Sequence, residues 1–141
     1  MPRFGTVIGQ PPRFALATPR FRFRALASYA GRASIGGERE VALACLVAGR
    51  LAASMLEPFD FAPPEAKARS ASARQWLSSL TLPPTVRTAV AEVPDAVASG
   101  NKARAATALS AAIQRVELNL DEASLTELRT LVTELREQGS G

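Results

Sequence analysis

An alternation of arginine and phenylalanine near the N-terminus is the part of this sequence whose residue types most clearly suggest a binding chemistry. Residues 20–24 read RFRFR, and the pair Arg13 and Phe14 precedes them. An arginine guanidinium is a planar fork that binds carboxylate or phosphate, and a phenylalanine ring fills an apolar pocket or stacks on a base. The predicted partner-binding residues are Arg13, Phe14, Arg20, Phe21, Arg22, Phe23, Arg24, Tyr29 and Arg32.

The same alternation is compatible with four outcomes, which the sequence leaves open. Phenylalanines could fill pockets of a neighbouring protein while arginines pair with its acidic rim. The segment could stack on unpaired bases and contact phosphates, as single-strand binders do. It could add a strand to a neighbour's sheet edge, with Phe21 and Phe23 on one side, or remain a solvated tail. We expect protein docking, with nucleic-acid binding as the alternative.

Charge is distributed unequally along the chain. Residues 1–37 contain six arginines and no acidic residue, whereas residues 38–141 contain 11 basic and 13 acidic residues. The net charges are therefore +6 and −2, and such asymmetry suggests a segment that meets an anionic partner. Four prolines exclude a long helix in residues 1–37, and the apolar content there is too small for an independent core. We predict an extended basic Arg/Phe arm over 1–37.

Residue types needed for side-chain catalysis and for metal binding are scarce. The chain has no histidine, and Cys45 is its single cysteine. Histidine-dependent triads, histidine-bearing zinc sites and an intramolecular disulfide are thereby excluded. Cys45 lies in an apolar run, which is typical of a small buried hydrophobe. We expect no catalytic, cofactor-binding or metal-binding residue, and we expect that the protein is not an enzyme.

Two other patterns resemble functional motifs without completing them. Residues 31–38, GRASIGGE, have the glycine spacing of a phosphate-binding loop, but Gly37 and Glu38 occupy the lysine and hydroxyl positions. This stretch is interpreted as a hinge between arm and body. Glu57 and Asp60 form an acidic pair between two helices, yet no further residue completes an acid–base or metal site around them.

From Glu38 onward, hydrophobic periodicity predicts the helices that must carry the arm. Pro94 is expected to end the third helix, with Asp95 capping a short turn through Ser99. The fold class is mainly α: a bundle-like body of four to five helices over 38–138, preceded by the extended, proline-containing basic arm and followed by a flexible tail at 139–141. The predicted helices are 38–56, 64–80, 84–93, 102–117 and 122–137.

Local signals predict how these helices begin, end and pack. Gly100 is expected to end one helix, and Asn101 and Asp121 are expected to cap the next two. The short connection 118–120 predicts that the last two helices are antiparallel. The first predicted helix has a wide apolar surface and is expected to be central, and Trp76 is expected to pack in the core.

Apolar residues of the last predicted helix recur with coiled-coil spacing, which keeps a third function class open. In that alternative the protein is a small helical regulator that forms a homodimer through this helix. The residues concerned are Leu125, Leu128, Val132 and Leu135.

Taken together, these features predict an intracellular, non-catalytic accessory or scaffold subunit of a larger multi-subunit complex, with other protein subunits as partners. The longest apolar run, 41–56, contains Arg50 and fits a buried helix better than a transmembrane span. The arginine-rich, acid-free N-terminus has the composition of organellar transit peptides. We therefore expect an organellar, mitochondrion-like location if this segment acts as an address, and a cytoplasmic one otherwise.

Overall fold

The structure is a computed structural model that describes residues 38–56 and 63–140. Every residue predicted to bind a partner, from Arg13 to Arg32, lies outside the described residues, as do Glu57 and Asp60. The described residues form five α-helices and two short 3-10 turns, and they contain no strand. The prediction of a mainly α fold is therefore confirmed for this part of the chain.

The first helix, α1 (Glu38–Ala53), is the centre of the packing. It continues into a 3-10 turn at Ser54–Leu56, so the helical stretch matches the prediction of 38–56. Leu43, Leu46 and Leu51 are completely or almost completely buried, on different sides of the helix. A helix that is apolar all round must be surrounded by other elements. The four later helices all contact α1.

Four further helices follow, and each packs against the next one along the chain. Proline at their first positions begins two of them, because its fixed φ suits a first helical turn and its missing N–H is not needed there. The helices are α2 (Pro63–Ser78), α3 (Pro84–Ser99), α4 (Lys102–Val116) and α5 (Glu122–Ser140).

The predicted signals at the junctions of α3, α4 and α5 are confirmed. Gly100 ends α3 with a left-handed φ of 75°, and its N–H donates to the Val97 carbonyl oxygen at 2.9 Å. Asn101 caps α4 by accepting a hydrogen bond of 3.0 Å from the Arg104 main-chain N–H. Asp121 caps α5 by accepting from the Ser124 N–H, and hydrogen bonds from Ser124 lower the pKa of this carboxyl.

Helices α4 and α5 are antiparallel, as the short connection predicts. At one end, Lys102 Nζ donates to Gln138 Oε1 at 2.9 Å. At the same end Gly139 lies against Ala103 so closely that a Cβ at Gly139 would come within 2.7 Å of the Ala103 main-chain nitrogen. Helix α5 extends to Ser140, into the segment for which the sequence predicts a flexible tail, and this close contact accounts for the extension.

Pro94 does not end α3, so the prediction of a helix over 84–93 is wrong at its C-terminal end. Helix α3 is continuous, with Pro94 in its interior. An internal proline removes one main-chain hydrogen bond and costs about 3 kcal/mol. Val93, Pro94 and Val97 are all buried, and removing this apolar surface from water offsets the cost.

Polar contacts join α3 to α2 and to the turn that follows α2. Arg74 of α2 forms an ion pair with Asp95 of α3, so Asp95 serves an interhelical contact rather than the predicted cap. Arg87 Nη2 of α3 donates to the Leu80 carbonyl oxygen at 3.4 Å.

The early part of α2 is more buried than its composition suggests. Residues 65–74, EAKARSASAR, are polar or small, a composition typical of a solvated face, yet Ala66 and Ser70 are almost completely buried. They lie on the same side of α2 as Ala73 and Leu77, which belong to the hydrophobic core. Small side chains let helix backbones approach closely, so the early part of α2 packs against its neighbours without large apolar residues.

Candidate functional site

The single thiol of the chain is a packing group in the core. Cys45 is fully buried in α1, and burial raises the pKa of its thiol to about 12. A nucleophilic cysteine needs a populated thiolate and access to substrate. Cys45 has neither at neutral pH, which confirms the interpretation of this residue as a small buried hydrophobe.

A buried carboxyl ties the start of α1 to the α2–α3 connection. Glu40 is only 4% exposed, and its carboxylate accepts a hydrogen bond from the Thr81 main-chain N–H. Desolvation is the stronger influence and raises the pKa of Glu40 above its ordinary value. The sequence gives no signal of this burial, since an acid in a first helical turn is usually favoured there by the helix dipole alone.

The face of α5 with coiled-coil spacing is occupied within the chain itself. Leu128 and Leu135 are completely buried, Val132 is 5% exposed, and Leu125 packs at the edge of the same core. Trp76 of α2 also packs against this core, partly buried, as the sequence predicts. The apolar residues that would form a dimer interface through α5 therefore contribute to the interior of one copy.

A groove of about 560 Å³ lies between α4 and α5 on the surface. Its floor includes Ile113 and Val132, which are largely buried. Its rim is polar, with Ser110 and Gln114 on α4 and Thr133 on α5. The groove therefore offers apolar contact at its floor and hydrogen-bonding groups on its walls.

Three charged side chains define the electrostatics of this groove. Arg129 Nη2 of α5 donates to Glu117 Oε2 at 3.1 Å, and the side chains are 61% and 43% exposed, respectively. Arg136, two helical turns after Arg129, is exposed and has no hydrogen-bond or ion-pair partner in the described part of the chain. The rim therefore has one free and one paired guanidinium.

An exposed leucine lies in the turn that connects the two helices of the groove. Leu118, in the 3-10 turn Glu117–Asn119 that connects α4 to α5, is 97% exposed. It is the one large apolar side chain fully open to solvent among the residues that the structure describes. Single exposed apolar residues are common on protein surfaces, so Leu118 by itself indicates no site.

Neither comparison with known proteins nor standard site geometry assigns a function to the described helices. Comparison with protein-family models, with curated proteins and with solved structures finds no match. Within residues 38–56 and 63–140, no group of three or more cysteine, aspartate or glutamate side chains is placed to hold a metal ion. No helix in these ranges combines the length and the apolar character that crossing a membrane requires.

Proposed function

We propose that the protein is a non-catalytic accessory or scaffold subunit of a larger protein assembly, which it joins through its N-terminal arm and its helical surface. The observation that carries this proposal is the contrast between the two parts of the chain. Residues 1–37 have a net charge of +6 with arginines beside phenylalanines, whereas residues 38–141 have a net charge of −2. A cationic, ring-bearing segment joined to a nearly neutral helical body is suited to reach a neighbouring subunit.

The packing of the body supports assigning the binding role to the arm and the surface. Helix α1 and the apolar face of α5 are already buried, so their large side chains stabilise the fold of a single copy. The same packing makes the dimeric-regulator alternative weaker, because Leu128 and Leu135 would have to leave the core to form a dimer interface. Contact with other subunits then uses exposed residues.

The docking mode follows from side-chain geometry in an extended segment. Successive side chains of an extended chain point to opposite sides, so Phe21 and Phe23 share one side and the neighbouring arginines share the other. The two rings fill apolar pockets of the neighbour. The arginines of residues 20–24 pair with acidic groups around those pockets, and bidentate guanidinium–carboxylate contacts fix the orientation.

The location of the protein is part of the same proposal. An intracellular assembly suits a chain with one cysteine. The arginine-rich, acid-free arm has the composition of an organellar address. Fusion of residues 1–37 to a fluorescent protein tests the organellar part, because a diffuse signal would assign the cytoplasm instead.

Deletion of the arm tests the docking role. The full chain, a chain lacking residues 1–34 and a full chain with Phe21→Ala and Phe23→Ala are compared by quantitative affinity purification. Both altered chains should lose the partners that the full chain recovers, while far-UV circular dichroism shows the same helix content. Recovery of the same partners by all three would contradict the proposal. A matched control, Phe59→Ala, changes a phenylalanine outside the arm.

Salt dependence separates protein docking from the nucleic-acid alternative. Contacts to phosphates release counterions, so affinity would fall with a log–log slope of roughly −0.7 to −0.9 per phosphate contact. An arm held by phenylalanine side chains loses much less affinity between low and moderate salt. Steep salt dependence with a single-stranded oligonucleotide as the ligand would favour nucleic-acid binding through the same arm.

A further inference from the structure

We infer that the groove between α4 and α5 binds an acidic peptide segment of a partner protein. This inference rests on the proposed function and deepens it, since it assigns a second docking surface and the chemistry of the segment that occupies it. The residues that line the groove all belong to the described part of the chain. Its charge, its floor and the spacing of its arginines identify the occupant.

The spacing of the two guanidinium groups sets the geometry of the ligand. Arg129 and Arg136 are seven residues apart on one helix, which places them on the same side of α5, about 10 Å apart along its axis. In an extended peptide, side chains four residues apart lie on the same side, with their Cα atoms separated by about 13 Å, and the long, flexible arginine side chains can span the difference. A segment with two acidic residues at that spacing therefore reaches both arginines at once.

The floor of the groove accommodates the residues between those two acids. Ile113 and Val132 present small apolar patches at its base, so a short apolar side chain of the peptide contacts them. Gln114, Ser110 and Thr133 on the walls have groups that donate and accept hydrogen bonds, which suits main-chain amides of an extended peptide. The preferred segment has two acids that flank small apolar residues.

The pairing of Arg129 with Glu117 predicts how the groove opens. This ion pair is solvent-exposed, and exposed pairs contribute little to stability. A carboxylate of the incoming peptide can therefore replace Glu117 as the partner of Arg129, while a second carboxylate pairs with Arg136, which has no partner among the described residues. Glu117 acts as a built-in competitor for the ligand.

Charge complementarity also decides against the arm of the chain as the occupant. Residues 1–37 contain no acidic residue, so they have no carboxylate to offer to Arg129 or Arg136. Like charges would instead repel the arm from this rim. A partner segment with the opposite charge is the chemically matched occupant.

The test is an NMR titration of the full chain, labelled with ¹⁵N, with the acetylated and amidated peptide Glu-Ala-Val-Ala-Glu. The main-chain amides of Gln114 and Thr133 should shift, and these residue-specific signals separate binding in the groove from contact with the basic arm. The peptide Gln-Ala-Val-Ala-Gln, which has the same shape without charge, should leave both signals unchanged. Equal shifts with the two peptides would overturn the inference.

Two variants should change peptide affinity in opposite directions, and a third serves as the control. Arg136→Gln removes the free guanidinium and should weaken peptide binding about two- to fivefold. Glu117→Gln removes the competitor of the ligand and should tighten binding by a similar factor. Arg104→Gln, an exposed arginine of α4 outside the groove, is the matched control and should have no effect. The altered residues are exposed or half-buried, so the fold should be retained, which circular dichroism confirms.

Several results would overturn the inference, and they differ from failure of the proposed function. The inference fails if Glu117→Gln does not tighten binding, if Arg104→Gln weakens binding as much as Arg136→Gln, or if inorganic phosphate at the peptide concentration gives the same shifts. Failure of arm deletion to remove partners contradicts the proposed function but leaves these groove signals unchanged. Conversely, Arg136→Gln should leave arm-dependent partner recovery unchanged.

Discussion

Truncation of two leucines ten residues apart should lower stability by very different amounts. Leu128 is completely buried in α5, whereas Leu118 is 97% exposed in the preceding turn. Leu128→Ala removes the equivalent of three buried carbon groups, at about 0.8 kcal/mol each, and leaves a cavity that the packed core cannot fully close. We expect the free energy of unfolding to fall by about 2.5–4 kcal/mol for Leu128→Ala and by less than about 0.5 kcal/mol for Leu118→Ala.

Urea denaturation followed by circular dichroism measures this difference directly, because a helical chain loses its signal on unfolding. The same measurement at several protein concentrations tests the dimeric alternative. A dimer held by the α5 face would make the midpoint of unfolding depend on concentration. Equal destabilisation by the two substitutions would refute the assignment of Leu128 to the core, and a concentration-dependent midpoint would refute its use within one copy.

Three other perturbations concern two buried groups, Glu40 and Cys45, and one glycine in close contact with a neighbouring helix, Gly139. Glu40→Gln keeps an acceptor for the Thr81 N–H and removes a carboxyl whose pKa is raised by burial. Because the raised pKa means that ionisation weakens the fold, this variant should be more stable than the parent at neutral pH, and the difference should vanish as pH falls below the ordinary value of 4.5. Urea denaturation across this pH range measures the difference, and the exposed Glu122→Gln serves as the control. Alkylation of Cys45 by iodoacetamide should be at least tenfold slower in the native chain than in urea. Mass spectrometry measures both rates, and equal rates would contradict the burial of Cys45. Gly139→Ala should lower the thermal midpoint despite the better helix propensity of alanine, because the new Cβ would approach a main-chain nitrogen to 2.7 Å; a raised midpoint would contradict this contact.

Local rules predict most of the helices because the relevant forces act over a few residues. The αL glycine at position 100 and the caps at Asn101 and Asp121 are properties of four- to five-residue stretches, and the structure confirms each of them. Apolar periodicity identifies α1 as central for the same reason: a helix without a polar face must be enclosed.

Predictions from local rules fail where tertiary packing dominates. Pro94 has the local signature of a helix end, yet the burial of its neighbours keeps α3 continuous. Ser70 has the signature of a solvated position, but it lies on the side of α2 that packs inward. The buried Glu40 accepts a hydrogen bond from the main chain of Thr81, forty-one residues later, and no local pattern contains that contact.

Only part of the candidate groove could be predicted from the sequence. The seven-residue spacing of Arg129 and Arg136 could have been noticed, since it places both on one side of a helix beside the apolar stripe. The pairing of Arg129 with Glu117 depends on how α4 packs against α5. That packing involves both the short connection between the two helices and the close contact at Gly139. The partner-binding role of the Arg/Phe arm stays a prediction from residue types alone.

The position of α1 in the chain has a consequence for synthesis. This most apolar helix emerges from the ribosome before the four helices that cover it, and its contacts reach as far as α5. Its apolar side chains stay exposed to solvent until the 87 residues from Ser54 to Ser140 have also been translated, at about 5–20 residues per second. Holdase chaperones, which bind short apolar segments, would bind α1 before the other helices. Expression without these chaperones should favour inclusion bodies over the native chain.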